Sequence, residues 1–368
     1  MVCKHFGECG SCKIYEEGYE AQLGEKIKGT QKLFVPFTDI EYDVFLSPHE
    51  GFRFRSEFKI YHDNGDIYYA MYNKEKRLFK IDECLIVNSE IQKLFTPLLQ
   101  QVKKLNIAHK LFAVEFLSTT TKEMIITLIY HRKLDEEWEK SAKTLLQELQ
   151  VEGIIGRSRK QKIVIEKDRV VEDFSVNEKI YKFVYIENSF TQPNPYTNRS
   201  MLQWVSDQSR NIDGDLLELY CGAGNFTLIL SEHFERVLAT EISKTSIAAA
   251  RKNCEINDIT NIEFIRMSSE DFVQASNKVR EFNRLKEIDL ESYTFSSVFV
   301  DPPRSGLDDT TRDLASKFEN ILYISCNPET LARDVEYFKN THKIVAMAFF
   351  DQFAYTPHLE MGLHLVKK

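Results

Sequence analysis

The segment Ile321-Leu322-Tyr323-Ile324-Ser325-Cys326-Asn327-Pro328 places a cysteine where an apolar strand meets a proline turn. Buried cysteines usually serve as small core residues, and Cys221 and Cys254 read that way. Cys326 differs. A parallel strand aims its last residue into the crevice where ligands bind, and a thiolate there can form a covalent bond to a substrate. Such a cycle also needs a base. Glu360, in Tyr355-Thr356-Pro357-His358-Leu359-Glu360, follows a proline turn and precedes the last apolar run. On its local sequence alone it reads as a solvated surface carboxylate.

A second constellation lies upstream. Leu217-Glu218-Leu219-Tyr220-Cys221-Gly222-Ala223-Gly224-Asn225-Phe226 reads as a strand, a glycine turn and a helix start. The glycines let backbone approach a ligand closely. The next strand ends at Glu241, 17 residues after Gly224, near the place where an acid binds ribose hydroxyls. The third glycine of the dinucleotide pattern is absent, so the turn and acid suit an adenosyl nucleoside better than a pyrophosphate.

These residues need strand ends to hold them. From Asp215 onward, strands and helices alternate: Leu216–Tyr220, Arg236–Glu241, Asn261–Met267, Ser296–Val300 and Asn320–Ser325 read as strands, with helices over Gly224–Phe234 and Ser243–Asn257. Lys343–Phe349 and Met361–Val366 can close the sheet. The alternation predicts a parallel α/β sheet. Upstream, Tyr19–Phe34, Ser89–Asn106 and Leu134–Gln150 read as helices. Gly51–Tyr61, Lys110–Leu117, Met124–Tyr130, Gly153–Ile155, Lys162–Glu166 and Lys179–Glu187 read as strands. That half is a mixed α+β domain, and the pattern changes near Asn188, giving expected domains of 1–187 and 188–368.

The chain has 368 residues, 43% hydrophobic and 28% charged, as a globular protein of two or three domains requires. No apolar run is long enough to span a membrane. The start, Met1-Val2-Cys3-Lys4-His5-Phe6, lacks the regions of a signal peptide, so a cytoplasmic chain is expected. In that compartment seven cysteines more often bind metal or react than form disulfides. Residues 1–180 balance 28 Lys and Arg against 29 Asp and Glu, while residues 181–368 hold 20 against 27. The net charge of −8 excludes a basic coat over the whole surface, and nucleic-acid binding would depend on local patches.

Taken together, Glu187–Asn194, Leu216–Phe226, Leu238–Ile242, Val279–Leu285, Phe299–Leu307, Ser325–Leu331 and Phe350–Phe353 resemble the bacterial tRNA uracil C5-methyltransferases over nearly the whole chain. The resemblance implies a Rossmann-like class I methyltransferase domain preceded by an RNA-recognition domain, and an enzyme that makes 5-methyluridine at position 54 in the T-loop. It implies Cys326 as nucleophile and Glu360 as proton acceptor, reversing the surface reading of Glu360. Gln192, Tyr220, Asn225, Glu241 and Asp301 would line the S-adenosyl-L-methionine site, and Arg304 would hold RNA. The chemistry explains the set. Carbon 5 of uracil is a poor nucleophile until a thiolate adds to carbon 6, and a base must afterwards take the proton from carbon 5.

Cys3-x5-Cys9-x2-Cys12, with Cys84 much later, is similar to the iron–sulfur ligands of the related 23S rRNA uracil methyltransferases. Four thiolates suit a [4Fe–4S] cluster, and zinc satisfies the same count. Arg53, Arg55 and Lys59 share one face of a predicted strand, and Arg157–Lys162 is a second basic cluster; both could neutralise phosphates. The expected partners are tRNA first, then tmRNA or rRNA, with no membrane and no obligate protein partner. An rRNA methyltransferase and an RNA-binding or RNA-folding factor are the competing readings.

Overall fold

The computed structural model describes residues 2–368. The first part of the chain runs α1 (Tyr19–Phe34), β1 (Asp43–Phe45), β2 (Arg55–Asp63), β3 (Asp66–Tyr72), β4 (Leu78–Ile81), α2 (Ser89–Lys104), β5 (Leu111–Ser118), β6 (Met124–Tyr130), α3 (Glu136–Leu149), β7 (Gly153–Ser158), β8 (Gln161–Glu166), β9 (Arg169–Val176) and β10 (Lys179–Ile186). The rest runs α4 (Pro195–Ser209), β11 (Asp215–Leu219), α5 (Thr227–Leu230), β12 (Val237–Glu241), α6 (Lys244–Ile256), β13 (Ile262–Arg266), α7 (Ser269–Ser276), β14 (Phe295–Val300), α8 (Asp309–Ala315), β15 (Asn320–Ser325), α9 (Pro328–Phe338), β16 (His342–Phe350) and β17 (Glu360–Lys367).

Two large sheets organise the molecule. One has eight strands in the order β1-β16-β17-β15-β14-β11-β12-β13. Its strands β13, β12, β11, β14 and β15 are mutually parallel, as the alternation predicts, and β17 lies antiparallel between β15 and β16. The other has seven strands, β4-β3-β2-β5-β6-β7-β8, and buries one face under α2 and α3. Each of those helices has a side-chain cap, Asn88 for α2 and Asp135 for α3, and such a cap satisfies a backbone donor the helix leaves open.

Helices cover both faces of the eight-stranded sheet. On one side, Phe34 of α1 and Val335 of α9 pack with Leu217, Val298 and Ile321. On the other, Trp204 of α4 and Ile247 of α6 pack with Leu216, Phe299 and Leu322. Three stretches from before Asn188 join this body. α1 lies on α9, β1 pairs in parallel with β16, and the β9–β10 hairpin packs on α4 and α6. Among the described residues, no helix is both long and apolar enough to cross a membrane.

Candidate active site

The turn after β11 opens the first cavity. Tyr220, Gly222 and Gly224 take positive φ of 63°, 56° and 83°, which is inexpensive for glycine and strained for tyrosine. A Cβ on Gly224 would meet Leu228 at 2.9 Å, so that glycine serves packing. A Cβ on Gly222 would meet nothing within 4 Å, so there the backbone faces open space. Glu241 accepts hydrogen bonds from the Gly222 N–H at 3.2 Å and the Ser243 N–H at 2.7 Å, which fixes its carboxylate at the end of β12. The Tyr220 and Ser269 hydroxyls share a hydrogen bond of 2.7 Å. The cavity, about 500 Å³, is walled by Tyr220, Glu241, Ile242, Met267, Ser269 and Leu307. A carboxylate beside apolar walls fits the ribose and adenine of an adenosyl ligand.

Gln192, Asn225 and Asp301 are not in that wall. Asn225 exchanges two hydrogen bonds of 2.9 Å with Asn198. Gln192 accepts from Gln352 Nε2 at 2.8 Å. The other end of that buried amide, Gln352 Oε1, has no partner, and neither has Glu218 Oε2 on β11. Buried polar atoms without partners are uncommon in folded proteins and mark places where a ligand can complete the hydrogen bonding.

The second centre forms where β15 and β17 end. Ser325 pairs with Met361 in their antiparallel ladder, and Cys326 and Glu360 are each next in sequence to a member of that last pair. Cys326 is half-buried and Glu360 only 4% exposed. Burial, followed by the charges of Glu360 and Asp301, pushes the Cys326 thiol up to about 11, while the nearby Arg304 cation opposes the rise. Burial and then Asp301 push Glu360 up to about 8, again against Arg304. Burial pushes Asp301 up to about 7. Glu360 is therefore not the surface carboxylate its local sequence suggests, because β16 and β17 carry it inside.

Helix α9 fixes the segment that presents Arg304. Pro328 opens the helix and Asn327 caps it. Asn327 Nδ2 donates to the Arg304 carbonyl at 2.9 Å, and Thr330 Oγ1 donates to it at 3.2 Å. Arg333 donates to the Ser305 and Leu307 carbonyls. This segment separates the first cavity from a second of about 600 Å³ in front of Cys326.

A family model described as tRNA (Uracil-5-)-methyltransferase matches residues 18–368. This chain belongs to that family. Proteins named tRNA/tmRNA (uracil-C(5))-methyltransferase are similar along its whole length. The one from Aliarcobacter butzleri is 50% identical over 373 residues, spanning all of this chain and 99% of its own. The one from Sulfurimonas denitrificans is 50% identical over 370 residues, spanning all of both chains. The crystal structure of Pyrococcus abyssi tRNA (uracil-54, C5)-methyltransferase, in complex with S-adenosyl-L-homocysteine, superposes with a TM-score of 0.74 at 22% identity, covering 95% of this chain and 84% of that one. The eight-stranded sheet is thus a Rossmann-like methyltransferase fold, and the chain is an S-adenosylmethionine-dependent methyltransferase.

Within this uracil methyltransferase the expected RNA-facing cations are mostly occupied. Arg53 donates to the Arg55 carbonyl. Arg55 pairs with Glu115 at 2.6 Å. Lys59 pairs with Glu57 and lies 4.5 Å from the Phe112 ring centroid. Arg157 pairs with Glu187, and Lys162 pairs with Asp168 at 3.0 Å. Arg159, Lys160 and Lys133 line a separate surface groove of about 890 Å³.

The expected metal centre is not supported. Cys3, Cys9, Cys12 and Cys84 do border one small cavity, together with Phe6 and Met71. All four are free cysteines, and among the described residues no three His, Cys, Asp or Glu side chains are grouped as metal ligands are. The four cysteines lie around one corner of the fold. Here Cys9 bridges to Asn73 at the end of β3, and the Gly10 N–H donates to the Tyr72 carbonyl.

Sequence reasoning also missed Asn198, Gln352 and Asp334. The asparagine sits in a polar run and the glutamine between Phe350 and Phe353, and in each case only the pairing partner reveals its place. Asp334 was legible only as one acid within an amphipathic helix.

Proposed function

We propose that the protein methylates carbon 5 of uracil-54 in the T-loop of tRNA, through a covalent bond from Cys326 Sγ to carbon 6 of the ring, and that it does so in the cytoplasm. The placement of Cys326 beside Glu360, with the Arg304 cation bordering the same cavity, carries this reading. Tyr220, Glu241 and the Gly222 backbone would hold the adenosyl part of S-adenosylmethionine, with Gln192, Asn225 and Asp301 as further contacts, and the cofactor when bound would supply an electrophilic methyl group.

The residues divide the work. Arg304 stabilises the thiolate as it forms, compensating part of the cost that burial imposes. The Cys326 thiol gives its proton to water in the open cavity, sulfur adds to carbon 6, and the ring becomes an enolate, nucleophilic at carbon 5. After methyl transfer, Glu360 takes the proton from carbon 5. The electrons of that C–H bond form the 5,6 double bond, and the thiolate leaves carbon 6. A carboxyl held near neutrality suits this task, since a base works best with a pKa close to the working pH. The uracil must leave its stack to reach Cys326. The seven-stranded body, β2 to β8, would grip the surrounding RNA, and the relatives' names extend the reading to tmRNA.

A tRNA T-arm carrying 5-fluorouracil tests the reading, because fluorine cannot leave carbon 5 as a proton. Wild-type protein should form a denaturation-resistant adduct and Cys326→Ala none. Methylation at normal rate by Cys326→Ala would overturn the mechanism. Methylation of 23S rRNA transcripts in preference to tRNA would overturn the substrate.

A further inference from the structure

The cavity before Cys326 has a wall that the catalytic residues do not account for. One side is Arg304, Cys326 and the turn containing His358. The facing side is helix α1, through Glu25, Lys26, Gly29, Thr30 and Leu33. Glu25, Gly29 and Leu33 are spaced by four residues, so they form one ridge along the helix. Gly29 is the middle of that ridge.

Helix α1 is held firmly. Lys26 Nζ donates to Asp351 Oδ1 at 2.6 Å and to the Phe353 carbonyl at 3.1 Å, and Gln22 donates to the same carboxylate. The Ser47 N–H donates to the Tyr19 hydroxyl at 2.7 Å. Asp351–Phe353 leads into the turn before Glu360, so the wall and the base are tied to one segment.

Glycine inside a helix costs roughly 1 kcal/mol relative to alanine. Packing gives no reason for it at position 29, since a Cβ there would meet nothing within 4 Å. The space it leaves belongs to the cavity. Gly24 is equally free of neighbours but does not line the cavity. At about 100° per residue it lies roughly 140° round the helix from Gly29.

The cavity suits a nucleotide. Its volume lies within the range of small-ligand sites, ~300–1,000 Å³. Its rim carries charges of both signs, with Arg304 beside His358, Glu25 and Glu329 bordering it and Lys26 neutralised by Asp351, so a base and its phosphate can each find a polar partner there.

We propose that α1 forms one wall of the RNA cleft, and that the missing side chain at Gly29 admits the nucleotide flanking the target uracil. This inference rests on the function proposed above. The test compares Gly29→Leu, Gly29→Ala and Gly24→Leu in the full-length protein, using a T-arm RNA, with melting temperature and S-adenosylhomocysteine affinity measured in parallel. Gly29→Leu should raise KM for RNA by roughly tenfold or more while kcat changes little, Gly29→Ala should fall between, and Gly24→Leu should match wild type. Neither leucine variant should melt lower, since leucine favours the helix. A wild-type KM in Gly29→Leu overturns the inference alone, as does an equal loss in Gly24→Leu. A wild-type protein that methylates no RNA overturns the function and this inference with it.

Discussion

Cys326 and Glu360 are neighbours where the antiparallel ladder of β15 and β17 ends, each next in sequence to a member of its last pair, Ser325–Met361. Residues directly opposite in such a ladder project to the same face with Cβ atoms roughly 5 Å apart. The base is thus set by the register of β17, and the nucleophile by the bend that ends β15. A shift of one residue would send Glu360 to the opposite face of the sheet.

The first prediction follows from that proximity. The Glu360 carboxylate raises the Cys326 thiol, so removing its charge lowers it. In Glu360→Gln, the pH midpoint for alkylation of Cys326 by iodoacetamide should fall below about 11. The same variant should add to RNA and transfer methyl but release slowly, with turnover reduced by about 10²–10⁴-fold. An unchanged alkylation midpoint, or normal turnover, would show that Glu360 does not act on the sulfur or the carbon-5 proton.

Asp334 gives the second. It is fully buried on α9 and accepts from the Leu307 N–H at 2.9 Å, the Tyr323 hydroxyl at 2.8 Å, Arg312 at 3.0 Å and Arg333 at 2.7 Å. It therefore holds the far end of the segment that carries Arg304. Asp334→Ala leaves two guanidinium groups and a hydroxyl without their common partner. We expect a loss of about 3–5 kcal/mol in urea unfolding. Asp334→Asn should retain the fold better yet form the fluorouracil adduct more slowly, with S-adenosylhomocysteine affinity less affected. Normal adduct formation in both variants would show that the clamp does not position Arg304.

What the sequence revealed and what it hid divide along contact range. The Tyr19–Phe34 helix and the Asn320–Ser325 strand have the bounds their local patterns predict, because amphipathic period and apolar runs are local signals. The glycine turn did not extend into a helix up to Phe234; only Thr227–Leu230 is helical, between turns. Strand β1 has three residues and pairs with β16 some 300 positions later, so nothing nearby announces it. Glu360 looked exposed because a proline turn and an acid say nothing about the strands that will cover them. The cysteine spacing suggested a ligand shell, but the thiols' mutual orientation is a tertiary property that spacing does not encode. Cys326 was legible because strand, proline turn and thiol coincide within eight residues.

The third prediction concerns pH. Glu218, Asp301 and Glu360 are raised to about 8, 7 and 8 by burial, from 4.5, 3.8 and 4.5 when unperturbed. A raised acid holds its proton more tightly in the folded chain, so its stabilising effect is full below about pH 4 and is lost as the pH rises towards 8. His364, lowered to about 4 by burial, works the other way and removes stability as the pH falls from 6.5. The stability of the protein without cofactor, read by urea unfolding, should therefore be greatest near mildly acidic pH and decline towards pH 9. Glu218→Gln should flatten the decline between pH 5 and 8 without touching the acid limb. An identical slope in that variant would show that Glu218 does not titrate in this range.

The buried ion pair between Lys26 and Asp351 supplies the last. Their side chains are 2% and 0% exposed, and they meet at 2.6 Å. Burial works against the lysine's charge and Asp351 restores it. Removing one partner leaves an uncompensated charge in the interior, whereas replacing both leaves none. Lys26→Met should destabilise by about 3–5 kcal/mol, and Lys26→Met with Asp351→Leu should recover much of that loss. Activity separates stability from position. The double variant frees α1 from the Asp351–Phe353 segment, so KM for RNA should remain raised even when the melting temperature returns. A double variant with restored stability and wild-type KM would mean that the apolar contacts of Leu23 and Phe34 suffice to hold α1 against the cleft. An unrestored melting temperature would place the cost in the lost Phe353 and Gln22 hydrogen bonds, not in the stranded charge.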